Sequence, residues 1–421
     1  VSAEKNSVET CDILVIGGGP AGSTAATLLA REGWSVVMLE KDPHPRFHIG
    51  ESLLPCNLPI LRDLGVLEKV REIGVFKPGA EFVSDQGEGR VAFPFRFAIG
   101  AKDDHAYQVR RSEFDEILFR NAQTHGVTTH EGLRVTQAEF TPGKPTRVIA
   151  VDSEKQEHHF APRFVLDASG RDGFLAHRLR TRHADKNNAT AAIFAHFRNV
   201  QRREAEMEGY ISIHLVEDGW FWMIPLRDNI MSVGFVGNRN SFQSHNGQKT
   251  DLFWVKAAQS PSVSARLTSA ELLGDLTTTG NYSYCADRNW GEGYYMIGDA
   301  YAFLDPVFSS GVLLATRSAY RGARVARAWL RDPKAGRRAA TREERRTRAE
   351  MRRVSWMIYG INDPVQRMLF LNPKNILRMR DGVIALLAGD LTGRVRVQVS
   401  LAAFRTVLGL MRWHHARHRD A

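Results

Sequence analysis

Three glycines and two acids carry the first recognisable chemistry of this chain. Gly17, Gly19 and Gly22 follow the apolar run Ile13 to Ile16 as G-x-G-x-x-G within GGGPAGS, and a helix-like segment, a second apolar run (Val36 to Leu39) and Glu40 come next. In that order each glycine has a task that a side chain would obstruct. Gly17 allows the tight turn, Gly19 lets the backbone approach a pyrophosphate, and Gly22 lets helix and strand pack closely, with Ala21 between them. The helix N-terminus presents N–H groups and a partial positive charge to a diphosphate, and Glu40 can accept hydrogen bonds from ribose hydroxyls. The same logic returns in FVLDASG (Phe164 to Gly170) and MIGDA (Met296 to Ala300), where Asp299 can meet a ribityl or ribose hydroxyl. The chain reads as a dinucleotide-binding protein.

The elements that must position these residues follow from periodicity. Helical spacing predicts helices over Asn57 to Val70, Ser112 to His125 and Asp251 to Leu267, and a mostly helical pattern from Val312 onward. Short β-like runs fall at Ala80 to Val83 and Arg90 to Phe95, alternation marks Gly132 to Val151, and strand patterns dominate Ala191 to Val236. HPRFHIGESLLP (His44 to Pro55) is too polar and proline-marked for a core strand. The expected fold is α/β: a Rossmann-like nucleotide domain made of residues 1–80, 100–180 and 280–325, an inserted β-sheet substrate domain (81–99 and 181–279), and a helical C-terminal region (326–421).

With 421 residues, 43% hydrophobic and 25% charged, the chain has the composition of an ordinary globular protein. It lacks a run of about 18 apolar residues and a signal-peptide hydrophobic region. Cys11, Cys56 and Cys285 are scattered without metal-ligand spacing and fit a reducing compartment, so a cytoplasmic location is expected. Much of the net charge of +10 sits in Arg331 to Arg353, where Glu343, Glu344 and Glu350 offset part of it. That segment is either a solvated helix or a surface for an acidic partner. No stacking aromatics interleave its arginines, which argues against single-stranded nucleic acid.

Three strand–acid–glycine segments around one sheet resemble the FAD-binding fold of the aromatic-hydroxylase superfamily. The resemblance implies that Arg111, in YQVRRSEFD, meets the FAD, with Arg110 as the fallback. Within that superfamily Trp220, Trp222, Ile224 and Pro225 spell W-x-W-x-I-P, and two tryptophans at spacing two share one face of a strand. This string is the signature of flavin-dependent halogenases, which the chain resembles over roughly its first 320 residues. GGGPAGS, GESLLP (Gly50 to Pro55), DASGR (Asp167 to Arg171) and GDAYAFLDPVFSSGV (Gly298 to Val312) agree in order.

The resemblance implies FAD, reduced by a separate flavin reductase, and a chloride or bromide ion. Reduced flavin and oxygen give a hydroperoxide, a halide attacks it, and the resulting hypohalous acid travels to the substrate. Ser310 and Gly311 match the place where family backbone amides hold the halide. Lys77, in IGVFKPGAEF, matches the lysine that aims the oxidant, and burial would lower its pKa. Lys69 is a poorer candidate because it falls in a predicted amphipathic helix. Tryptophan halogenases carry a glutamate two residues before the halide-binding Ser/Thr; here that position is Phe308. A phenol or pyrrole, free or tethered to an acyl carrier protein, therefore fits better than an indole. His48, His105, His196 and His214 are candidate bases for a phenol proton. The alternatives are a flavin monooxygenase or reductase of the same fold, or a non-catalytic flavoprotein that docks a partner.

Overall fold

The aliphatic run that precedes the glycines forms the strand Glu9–Ile16, buried from Ile13 onward, at the centre of a parallel sheet. The computed structural model describes residues 8–85, 89–141, 144–185, 190–243, 248–361, 363–372 and 374–419. On one side of the first strand lie Glu157–Asp167 and Tyr294–Met296; on the other lie Val36–Glu40 and Thr128–Glu131. Arg147–Val151 pairs antiparallel with the early half of Glu157–Asp167, and Arg134–Glu139 pairs antiparallel with Arg147–Val151. Near-continuous apolar strands are what a parallel sheet covered on both faces requires. Ile13, Val15, Met38 and Leu166 pack on one face with the helices Pro20–Ala30 and Gly311–Arg331; Leu14, Val37, Leu39 and Val165 fill the other.

A second sheet runs in the order Glu271–Tyr282, Thr190–Arg198, Ile230–Asn238, Gly219–Pro225, Ile211–Val216, Gly79–Ser84, Gly89–Pro94. Its pairings are antiparallel except that of Gly79–Ser84 with Ile211–Val216. Period-two alternation divides its faces. Phe221, Met223, Val233 and Phe235 lie under the helices Lys249–Ala258 and Pro261–Leu267. Ile213, Trp220, Trp222 and Ile224 look the other way, into a core shared with the helices Pro333–Gly360, Pro364–Leu371, Met379–Leu387 and Val395–Arg419.

Two expected helices are broken. Asn57 to Val70 is not one helix but two, Leu58–Asp63 and Leu67–Ile73. Gly65 takes φ +74° between them, and Val66 N–H reaches back to the Leu61 carbonyl (3.0 Å), which closes the first helix. Asp251 to Leu267 is likewise split: Pro261 cannot donate a helical hydrogen bond, and Ser260 Oγ caps the new helix by accepting from Val263 N–H (3.3 Å).

The arginine-rich segment is the helix Pro333–Gly360, and its acids turn inward. Glu343 and Glu350 are buried against the preceding helix, where Glu350 meets Arg317 (2.8 Å) and Arg321 (2.5 Å) and Glu343 meets Arg324 (3.2 Å). Arg342, Arg345 and Arg352 are exposed and have no ion-pair partner among the described residues.

The glycine turn yields a test. A Cβ on Gly22 would stand 1.9 Å from the Gly17 carbonyl oxygen, whereas one on Gly19 would meet only the tip of Arg46 at 3.6 Å. Gly22→Ala should cost on the order of 1–3 kcal/mol, read as a lower urea midpoint at unchanged slope. Gly19→Ala should stay within about 0.5 kcal/mol of the parent.

Candidate active site

The carboxyl ends of the parallel strands face the tryptophan side of the second sheet across a cavity of ≈640 Å³. Ligands of open α/β sheets bind at such strand ends. The walls run from Gly17, Gly19 and Ala21 past Glu40, Arg111 and Asp299 to Trp220, Trp222 and Ile224. Most of the residues singled out from sequence therefore border one space, although they come from distant parts of the chain.

At one end no side chain caps the helix Pro20–Ala30, so its first N–H groups remain available. Gly19 offers the cavity a surface without a Cβ, and Gly22 packs the helix onto the turn, as the spacing predicted. Glu40 is buried and accepts from Gly18 N–H (2.8 Å), Asp42 N–H (3.0 Å) and Arg46 (3.1 Å). A carboxylate offers about four acceptor sites, which leaves one for a ribose hydroxyl.

Farther along, Asp299 stands in the wall on the turn Gly298–Ala300, and no described residue hydrogen-bonds its carboxylate. Enclosure by protein pushes its pKa up to about 6, with Arg111 and Arg171 pulling in the opposite direction. Arg111 begins the helix Arg111–Thr124 and forms a two-point ion pair with Asp115 (2.7 and 2.9 Å), while its third contact is the Ile49 carbonyl (2.9 Å). Arg110 turns away to Glu113 (3.1 Å) and Asp228 (2.7 Å). An uncapped helix start, a side-chain-free approach and two acids with spare acceptor capacity fit a diphosphate and its sugar hydroxyls, which is the chemistry FAD presents.

At the other end the paired tryptophans share a face, with ring centres 5.9 Å apart, and Trp222 Nε1–H donates to Ser232 Oγ (3.1 Å). Pro225 ends their strand, opposite Met231. Lys77 does not border the cavity. It is 1% exposed, and its Nζ donates to Ser52 Oγ (2.7 Å) and the Leu53 carbonyl (2.8 Å) under the Phe95 ring (5.3 Å). Burial pushes its pKa down to about 7. Lys69 is exposed on the helix Leu67–Ile73.

In the FSSGV turn the cavity is bordered by Ser309 and Gly311, while Ser310 is buried behind them. Ser309 is left-handed (φ +55°) and Ser310 right-handed (φ −80°), the alternation that forms an anion nest, and Ser310 leaves the helix Gly311–Arg331 uncapped by any side chain. Phe308 packs against Phe82 and Phe370, each 6.1 Å away.

Of the four histidines, His196 binds Glu51 (2.8 Å), a cavity-wall residue, and His48 lies in the wall with its pKa lowered to about 4 by burial and then Arg111. His105 stacks on Phe76 (4.8 Å), and His214 is buried against Ser262 (2.6 Å) beneath the outer helices. Sequence reasoning missed Arg46, Glu51, Ser52 and Ser309. The GESLLP match covers Glu51 and Ser52 and was the one signal that could have drawn attention to them.

The profile of the family described as tryptophan halogenase matches residues 12–103 and 98–363. A tryptophan 2-halogenase of Chondromyces crocatus is 39% identical over 312 residues, 73% of this chain and 59% of that protein. The 1H-pyrrole-2-carbonyl-[peptidyl-carrier protein] chlorinase of Pseudomonas fluorescens is 32% identical over 73% of this chain and 74% of its own. Among solved structures, a flavoprotein/dehydrogenase of Cytophaga hutchinsonii superposes with a TM-score of 0.86 at 27% identity, covering 97% of this chain and all of that one. The myxobacterial chondrochloren halogenase, described as a variant of FAD-dependent halogenases, gives 0.77 at 32% identity over 83% and 82% of the two chains. The chain spans about three-fifths of the length of the curated relatives it matches first. Among the described residues no helix is long and apolar enough to cross a membrane.

Asp299 gives the site a pH signature. Its folded pKa lies above its unfolded value of 3.8, so its contribution favours folding below that pH and is lost as pH rises through about 6. Asp299→Asn should stabilise the FAD-free protein by on the order of 1–2 kcal/mol at pH 8, with the gain vanishing toward pH 4. Thermal melts across that range check it.

Proposed function

The chain belongs to the flavin-dependent halogenase family, and from that membership we propose that it halogenates an electron-rich phenol or pyrrole, either free or carried on an acyl carrier protein. The observation that carries this reading is Lys77, an amine buried one residue behind the wall of a cavity that Trp220 and Trp222 also line. Reduced FAD, supplied by a separate flavin reductase, and oxygen would provide the oxidant that converts chloride or bromide to hypohalous acid. Gly17, Gly19, Ala21 and Gly22 would hold the diphosphate at the helix start, and Glu40, Arg111 and Asp299 would fix the sugar and ribityl portions. The nest around Ser310 and Gly311 would bind the halide through backbone amides.

Lys77, acting through its hydrogen-bonded neighbour in the cavity wall, would orient hypohalous acid so that its halogen meets the ring. The aromatic C–H becomes C–X, and the displaced proton leaves with the hydroxyl as water. Phe308 places an apolar ring where tryptophan halogenases carry a glutamate, so the substrate must be activated by its own hydroxyl or ring nitrogen. Delivery by an acidic carrier draws support from the exposed Arg342, Arg345 and Arg352 and from a relative that acts on a carrier-bound pyrrole. The similarity to a flavoprotein/dehydrogenase favours a reductase or monooxygenase as the second reading.

Mass spectrometry of reactions with FAD, a flavin reductase, NADH, oxygen and bromide separates the two. With a panel of free and carrier-tethered phenols and pyrroles, a bromine isotope doublet is expected that Lys77→Ala abolishes. A hydroxylated or reduced product without halogen would assign the second reading. The absence of turnover alongside tight FAD binding would favour a non-catalytic flavoprotein.

A further inference from the structure

The amine of Lys77 and the cavity do not touch, and one side chain bridges them. Ser52 borders the cavity and is itself 4% exposed, and its Oγ accepts a hydrogen bond from Lys77 Nζ at 2.7 Å. The second acceptor of that amine, the Leu53 carbonyl at 2.8 Å, is backbone and fixed. Two of the three ammonium protons are thereby held, and Phe95 covers the group from another side at 5.3 Å. The neighbouring carboxylate, Glu51, is turned onto His196 (2.8 Å) and not onto the amine. Burial alone displaces the pKa of Lys77, with no charged side chain of the described residues adding to it.

We propose that Ser52 is a positioning residue for Lys77: its hydroxyl fixes the direction of the amine and presents the oxygen through which the amine communicates with the cavity. A serine hydroxyl accepts from the ammonium while its own O–H remains free to point into the cavity, so it can bond a guest that the amine alone does not reach. This inference rests on the halogenase reading for its consequence, but the contact between the two side chains stands on geometry.

The test has one arm that needs no cofactor. With lysines labelled at Cε, NMR titration of the FAD-free protein follows the Lys77 resonance, identified by its loss in Lys77→Ala. A hydroxyl that accepts from the ammonium favours the charged form, so Ser52→Ala should lower the apparent pKa of Lys77 by about one unit, and Ser52→Thr, which keeps the oxygen, should restore it. In the second arm, Ser52→Ala, assayed at saturating FAD, should reduce halogenated product per oxygen consumed by about tenfold and raise the hypohalous acid trapped in bulk solution. In the Lys77→Ala background the serine substitution should add nothing. A Lys77 titration unmoved in Ser52→Ala, or equally displaced in Ser52→Thr, overturns the assignment of Ser52. Normal halogenation by Lys77→Ala would instead overturn the role of the lysine while leaving the titration arm intact.

Discussion

The ion pair between Arg111 and Asp115 holds the site together. Both side chains are buried, and the two contacts of 2.7 and 2.9 Å give the pair a fixed plane. Burial opposes the charge on Asp115, yet Arg111, His48 and Arg46 outweigh it and keep its pKa below the ordinary carboxylate range. From this pair a line of contacts reaches both ends of the cavity. Arg46 stands 3.5 Å from Asp115 and 3.1 Å from Glu40, which takes the Gly18 amide; Arg111 holds the Ile49 carbonyl. Residues 46 to 52, without regular structure for most of their length, are thus pinned along one side of the cavity. Removing either partner would leave the other charge buried with only weaker compensation, a loss of up to roughly 3–5 kcal/mol.

That pinned segment explains the geometry around Lys77. Glu51 and Ser52 are consecutive, so an extended backbone sends their side chains in opposite directions. One reaches His196 on the second sheet; the other reaches the lysine. The Val109 amide donates to the Glu51 carbonyl at 2.8 Å and the Leu53 amide to the Tyr107 carbonyl at 3.0 Å, which ties this stretch to the chain just before Arg111. The same few residues therefore connect the nucleotide end of the cavity, the second sheet and the buried amine.

Much of this was legible in the sequence, and the limits have physical causes. The glycine turn and Glu40 could be placed because strand, turn and helix follow one another locally; Asp299 follows its strand as expected, but it does not open the long helix, which starts only at Gly311. The shared face of Trp220 and Trp222 followed from a period of two. The helix breaks at Gly65 and Pro261 escaped an argument from apolar spacing, although the turn residues that cause them are in plain view. Ser310 and Gly311 were matched as letters, and letters do not reveal that Ser309 is the left-handed residue of the turn and the serine that borders the cavity. Arg46 and the contact of Glu51 with His196, 145 residues away, depend on the path of a segment without periodicity. No local pattern predicts such a meeting.

The strand order carries a consequence for the birth of the molecule. Glu157–Asp167 needs Tyr294–Met296 on its far edge, and the first helix packs against Gly311–Arg331. The nascent chain thus holds its nucleotide turn ready while nearly 300 residues remain to be threaded from the ribosome before that sheet gains its last parallel strand. From the synthesis of Glu157–Asp167 until Tyr294–Met296 emerges, the apolar edge at Val165–Asp167 is unpaired and open to wrong partners. Contacts this distant in sequence form slowly. Production of active protein should therefore be sensitive to growth temperature and chaperone supply even where the finished fold is stable.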